Sequence, residues 1–119
     1  MKEDKKREKR IADEIVVDAY DEEERAMGWY YYLQDNLKFP FQAKCVKERS
    51  ISPLKKNEIV TVIELPDEAE CTKEMFVTIE WQNRQLAVPL NQLQGIKTDQ
   101  QTKTAIEDWH YWKEAGYGF

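Results

Sequence analysis

Residues 75–93 read Met75-Phe76-Val77-Thr78-Ile79-Glu80-Trp81-Gln82-Asn83-Arg84-Gln85-Leu86-Ala87-Val88-Pro89-Leu90-Asn91-Gln92-Leu93. Met75, Val77, Ile79 and Trp81 fall on one face of a period-two pattern, and Leu86, Val88 and Leu90 return it after the two-residue turn Gln82-Asn83. That is a β-hairpin with one buried face. The run Pro89-Leu90-Asn91-Gln92-Leu93 predicts a short helical turn, followed by a last strand around Gln94-Gly95-Ile96. Upstream, Phe39, Phe41, Ala43 and Cys45 alternate as another strand, with Pro40 placing its start at an edge. Glu58 to Leu65 is β-branched and strand-like; Ser50 to Asn57 is a turn-rich connection, and Pro66 to Lys73 is a loop. Strand, long excursion, strand, acidic loop, tight hairpin, helical turn and short strand together resemble a small SH3-like barrel, whose closure would remove exposed sheet edges.

Outside this β region the period changes. Ile11, Ile15, Val16 and Ala19, then Ala26, Met27, Tyr30, Leu33 and Leu37, keep helical spacing. Asp21 followed three residues later by Glu24 has the form of a capping box. Two helical segments are expected, about 8–19 and 22–37, with a break near Asp21. Gly28 weakens the second helix and allows a close backbone approach beneath Trp29. Thr104-Ala105-Ile106-Glu107 is a second capping box, opening a helix over 104–115. The expected architecture is α+β: an N-terminal helical segment packed on a small SH3-like β-barrel, with a short C-terminal helix. It forms one domain over 1–119, divided into a charged, frayed head (1–10), helices (11–37), the barrel (39–96) and the last helix (104–115).

The chain has 119 residues, 18 of them basic and 23 acidic, for a net charge of −5. Fourteen aromatic residues argue against a disordered chain. The first ten residues carry +3, leaving −8 on the rest. An acidic balance of this size disfavours nucleic acid as a partner and suits a cation or a basic partner. The longest apolar run, residues 28–33, is too short to span a bilayer, and the charged head lacks the apolar region of a secretory signal. Cys45 and Cys71 form neither a disulfide framework nor a zinc knuckle, so a reduced cytoplasmic setting is expected. Cys45 reads as core and Cys71 as exposed. Catalytic motifs are lacking: His110 sits alone among aromatics, and neither a phosphate loop nor a nucleophile elbow occurs. The chain reads as a binding protein rather than an enzyme.

The most chemically suggestive segment is Pro66-Asp67-Glu68-Ala69-Glu70-Cys71-Thr72-Lys73-Glu74. Calcium takes six to eight oxygen ligands in flexible geometry, and Asp67, Glu68, Glu70 and Glu74 are carboxylates in a loop that suits it. A solvated acidic turn explains the same run. No EF-hand pattern occurs. Asp35 at the end of the second helix, Glu64 before the loop and Asp99 after the last strand are second-rank ligands, and Lys38 would compete with a metal at any site that Asp35 shares. Asp21 to Glu24 form a second acidic cluster that could join such a site, although helix capping explains them better, since the box already uses Asp21 and Glu24. Trp29-Tyr30-Tyr31-Tyr32 and Trp109-His110-Tyr111-Trp112 read as core, with Trp29 and Leu33 inside, or as an aromatic face for a partner peptide.

Ala26-Met27-Gly28-Trp29-Tyr30-Tyr31-Tyr32-Leu33-Gln34-Asp35, Phe39-Pro40-Phe41, Leu86-Ala87-Val88-Pro89-Leu90 and Ala105-Ile106-Glu107-Asp108-Trp109-His110-Tyr111-Trp112 resemble the cyanobacterial CcbP-type calcium-binding protein family. So do Asp18-Ala19-Tyr20 and the Gly116-Tyr117 end, and the likeness runs from about Ile11 to Phe119. It implies a small cytoplasmic protein that binds Ca²⁺ without EF-hands and buffers, sequesters or senses it. The expected partners are calcium and a protein, with neither nucleic acid nor membrane, and the expected state is a monomer. The alternative is a calcium-independent interaction module that uses exposed aromatics of the barrel and helix, Tyr31 and Tyr32 among them.

Overall fold

The structure, a computed structural model, describes residues 4–115. Met1 to Glu3 of the charged head and the Gly116-Tyr117 end lie outside the described residues.

From Asp4 onward the head is built as a capped helix. Asp4 caps helix α1 (Lys5–Arg10), its side chain accepting the Arg7 N–H at 3.0 Å. The helix continues into a wider π-helical turn over Ile11–Ile15, with Ile11 and Ile15 buried. It stops there rather than at residue 19: Asp18 takes a left-handed φ of 57°, a conformation aspartate tolerates because its side chain bonds locally. Asp21 then caps helix α2 (Glu22–Asn36), accepting the Glu24 N–H at 2.8 Å, as the sequence suggested. Gly28 brings α2 against the end of the first helix. A Cβ on Gly28 would collide with the Ile15 carbonyl oxygen.

Alanine at this position gains about 1 kcal/mol in helix propensity. It also forces two backbones apart, at a cost of about 1–3 kcal/mol or more. Gly28→Ala is therefore expected to lower stability by up to about 2 kcal/mol in urea unfolding. A stabilised variant would show that the helices do not touch.

Five antiparallel strands follow: β1 (Phe41–Cys45), β2 (Ile59–Glu64), β3 (Phe76–Trp81), β4 (Arg84–Pro89) and β5 (Leu93–Ile96). Their order is β4-β3-β2-β1-β5. The alternating residues point where the period-two pattern put them: Phe41, Ala43, Cys45, Val77, Ile79 and Val88 are buried. Gln82 and Asn83 both have positive φ, as a tight hairpin with right-twisted strands requires. A 3₁₀ turn over Leu90–Gln92 leads into β5.

Barrel closure differs from expectation. β4 and β5 form opposite edges of one open sheet, with no strand ladder joining them among the described residues. Helix α3 packs against β5 and the preceding 3₁₀ turn, so a helix supplies part of the apolar cover that closure would give.

Helix α3 (Gln100–Glu114) also begins earlier than the Thr104 box suggested. Asp99 is its cap, accepting the Thr102 N–H at 2.8 Å, which leaves Thr104 and Glu107 inside the helix. The helices meet in an aromatic core. Trp29 is 0% exposed, with ring centroids 5.1 Å from Trp109, 5.6 Å from Trp112 and 5.9 Å from Tyr32.

Beside this cluster lies a buried carboxylate. Asp108 on α3 is also 0% exposed and accepts two bonds from Arg10, Nη2 to Oδ1 at 2.6 Å and Nε to Oδ2 at 3.0 Å. Arg7 lies 3.2 Å from the same carboxylate, and the Tyr32 hydroxyl donates to it at 2.7 Å. The basic head thus finds its acidic partner within the same chain. The bond to Asp108 holds the Arg10 guanidinium protonated more firmly than usual, and burial raises the Tyr32 phenol well above its ordinary value.

Candidate metal centre

The acidic loop is anchored from below and open above. Pro66 and Cys71 are buried at either end of its 3₁₀ turn (Glu68–Cys71), and the Tyr30 hydroxyl donates to the Pro66 carbonyl at 2.7 Å. Burial raises the Tyr30 phenol above its ordinary value, and the carboxylates of Asp67 and Glu68 push the same way. Cys71 is not exposed as the sequence suggested. The 3₁₀ turn directs its thiol inward, where the Phe76 N–H approaches Sγ at 3.5 Å, and burial raises its pKa. Cys45 lies in the core, as its strand phase predicts.

Tyr30 belongs to α2, so its bond to Pro66 ties the loop to that helix. Asp67 and Glu68 thereby line one cleft with Asp21, Glu22 and Glu23, a space of about 700 Å³. All five side chains are exposed. Asp67 and Asp21 each accept one backbone N–H as caps, from Ala69 at 3.2 Å and from Glu24. Lys73 lines the same cleft as a lone cation. Capping by Asp21 was legible in the sequence. That the same turn would face the 67–68 carboxylates depends on how the Tyr30 to Pro66 bond packs the loop on α2.

The remaining sequence candidates go elsewhere. Glu70 shares the 3₁₀ turn but does not line the cleft. Glu74 is buried and paired with Arg49, Nη1 to Oε2 at 2.8 Å, and the same nitrogen donates to Asn91 at 3.0 Å. Its charge is already matched, and it ties the 46–58 connection to the end of the acidic loop. Asp99 is the α3 cap, with its other oxygen 3.4 Å from Lys38 Nζ. Both contacts hold its carboxyl below the usual range. Lys38 therefore pairs with Asp99 rather than Asp35. Glu64 is exposed at the end of β2.

Asp35 lines a second cleft of about 700 Å³ together with Glu14, Asn36, Gln101 and Thr104, where α1, α2 and α3 meet. Glu14 was absent from the sequence reading, because nothing in its local pattern distinguishes it from other solvated helix acids.

A calcium ion fits the chemistry of the first cleft: hard oxygen donors, flexible exposed side chains and a strong excess of negative charge. As they stand, no three acidic, histidine or cysteine side chains among the described residues converge closely enough to hold a metal. Like charges on mobile side chains repel, so convergence has to be driven by the cation itself. Of the aromatics offered for partner binding, Tyr31 is half exposed, whereas Tyr32 is committed to Asp108. No helix among the described residues is long and apolar enough to cross a membrane.

Comparison with known proteins gives a consistent result. The chain matches the family model of CcbP, described as calcium binding, over residues 9–113. It is 41% identical to Anabaena CcbP, whose crystal structure superimposes with a TM-score of 0.88, covering 100% of this chain and 98% of that one. A calcium-binding protein solved in its calcium-binding form is also 41% identical, with a TM-score of 0.87, covering 98% and 95% respectively. Among curated proteins none is significantly similar. With family and structural matches spanning nearly the whole sequence, the chain belongs to the CcbP family of calcium-binding proteins.

Proposed function

We propose that this protein binds calcium without EF-hands and serves as a monomeric cytoplasmic buffer rather than an enzyme. The carrying observation is the cleft in which the first turn of α2 places Asp21, Glu22 and Glu23 opposite Asp67 and Glu68. The family match and the 41%-identical relative in its calcium-binding form support the choice of cation. A binding role is also supported by the side chains that catalysis would need: the His110 ring sits 2.6 Å from the Leu93 carbonyl, and both thiols are buried. In the absence of calcium the carboxylates repel and splay. The ion neutralises them and draws loop and helix together, with carbonyls and water completing its shell. Glu74 and Asp99, held by Arg49 and by the α3 cap, stand outside this ligand set, and Glu70 and Glu64 are peripheral to it. Asp35 and Glu14 offer a second, weaker position, favoured by the oxygen donors of Asn36, Gln101 and Thr104 around them.

Calorimetric titration of chelator-stripped protein, in excess Mg²⁺, is expected to show saturable calcium binding. The double substitution Asp67→Asn and Glu68→Gln should weaken it by about tenfold or more, a change of about 1.4 kcal/mol per factor of ten. Asp35→Asn should affect only a second, weaker phase. At free calcium of 100 times Kd the fold should gain about 2.7 kcal/mol, read as a rise in Tm. Unchanged affinity in the double variant would remove calcium from this cleft.

A further inference from the structure

The same cleft has a feature that a calcium ion does not use. Part of its lining is apolar: buried Ala26 and Cys71 form the floor, and partly exposed Met27 and exposed Ala69 also face it. A hydrated cation gains nothing from that surface. A methionine beside small residues is adaptable and accepts apolar side chains of varied shape. A space of about 700 Å³ lies within the range of pockets that enclose a ligand group. Five rim carboxylates against Lys73 set the sign of whatever sits above the floor. The chain's own basic helix is not available for the task, because Arg7 and Arg10 are held by Asp108 at another face.

We infer that the calcium-free protein docks a basic segment of another protein here, with an apolar side chain entering between Met27 and Ala69 and lysine or arginine side chains meeting Asp21, Glu22, Glu23, Asp67 and Glu68. This rests on the placement of calcium in the cleft only for its regulatory consequence: the ion and the segment compete for the same carboxylates, so calcium releases the segment. The occupant is a protein segment rather than a nucleic acid, whose phosphates the rim repels.

The test uses the intact protein in chelator at near-physiological salt, with fluorescently labelled twelve-residue peptides read by anisotropy. A peptide alternating lysine and leucine is expected to bind saturably. One alternating lysine and serine should bind at least tenfold more weakly, and one alternating glutamate and leucine should not bind. Met27→Gln and Glu22→Gln/Glu68→Gln should each weaken the lysine–leucine peptide at least fivefold, with circular dichroism confirming that the variants fold. No binding, equal binding of the two lysine peptides, or indifference to these substitutions overturns the docking site. So does concentration-dependent self-association that the peptide displaces and the rim substitutions abolish, which would make a second copy the occupant.

Calcium is then added to the peptide complex. Release supports both readings. If calorimetry shows calcium bound while the peptide stays, docking stands and the ion lies outside this cleft. If calcium binds and the rim variants lose it, yet no peptide binds, the docking inference fails alone.

Discussion

Replacing both Arg7 and Arg10 by alanine is expected to lower stability by about 3–5 kcal/mol, the usual loss when a buried ion pair is broken from one side. Asp108 is fully buried and its carboxylate depends on these two guanidinium groups and the Tyr32 hydroxyl. Without the arginines, Tyr32 alone remains to offset a charge removed from water. The reverse substitution is not equivalent. Arg10 keeps 28% of its side-chain exposure, so in Asp108→Ala the guanidinium can turn to solvent. That variant loses its hydrogen bonds and leaves the Tyr32 hydroxyl without its acceptor, for about 1–3 kcal/mol. Chemical denaturation of the two variants checks both size and asymmetry. Equal small losses would mean that Asp108 reaches water. Total stability of a domain this size is typically about 5–15 kcal/mol, so the double arginine variant sits near the limit of folding at 37 °C.

Trp29→Ala should be as damaging, at about 3–5 kcal/mol. The indole is completely buried where α2 meets α3, edge-on to Trp109 and tilted against Trp112, and its removal empties the centre of the helical layer. Trp29→Phe separates volume from polarity. The Trp29 Nε1 has no hydrogen-bond partner among the described residues, so phenylalanine removes a buried unpaired donor while keeping most of the ring contacts. A loss of about 1–2 kcal/mol is expected, with the near-ultraviolet aromatic signal reduced but present. If Phe and Ala were equally harmful, the indole nitrogen would be contributing a bond to buried water. The two sites should also couple, because Tyr32 touches both Trp29 and Asp108.

Element identity was legible because it is local. Alternation in 39–45 and 75–90, the Gln82-Asn83 turn and the Asp21 cap depend on residues within a few positions of one another. The boundaries differ for local reasons: Asp99 outcompetes Thr104 as a helix cap, and the chain leaves the helix at Val16 and turns left-handed at Asp18, short of residue 19. The candidate ligands were less legible. Asp67 and Glu68 lie where a carboxylate run suggested, but Glu74 in that run answers Arg49, twenty-five residues away. Asp21 to Glu23 read first as capping residues and only second as an acidic cluster, and they line the cleft. Capping engages one carboxylate oxygen of Asp21 and leaves two further acids directed to solvent.

By itself, then, the sequence determined the α+β character, the hairpin and the turn into the last strand, the acidic loop, and membership of a calcium-binding family through its aromatic runs. Periodicity and turn chemistry act over one or two turns of chain, and family runs are read directly. Only the tertiary structure decided that the sheet stays open with α3 packed beside β5, that the basic head closes on Asp108 about a hundred residues away, and that Tyr30 sets Pro66 so that two separate acidic runs share one cleft. Those outcomes depend on which distant side chains can satisfy a buried charge or hydroxyl. That is settled by packing and desolvation, for which a linear pattern holds no signal.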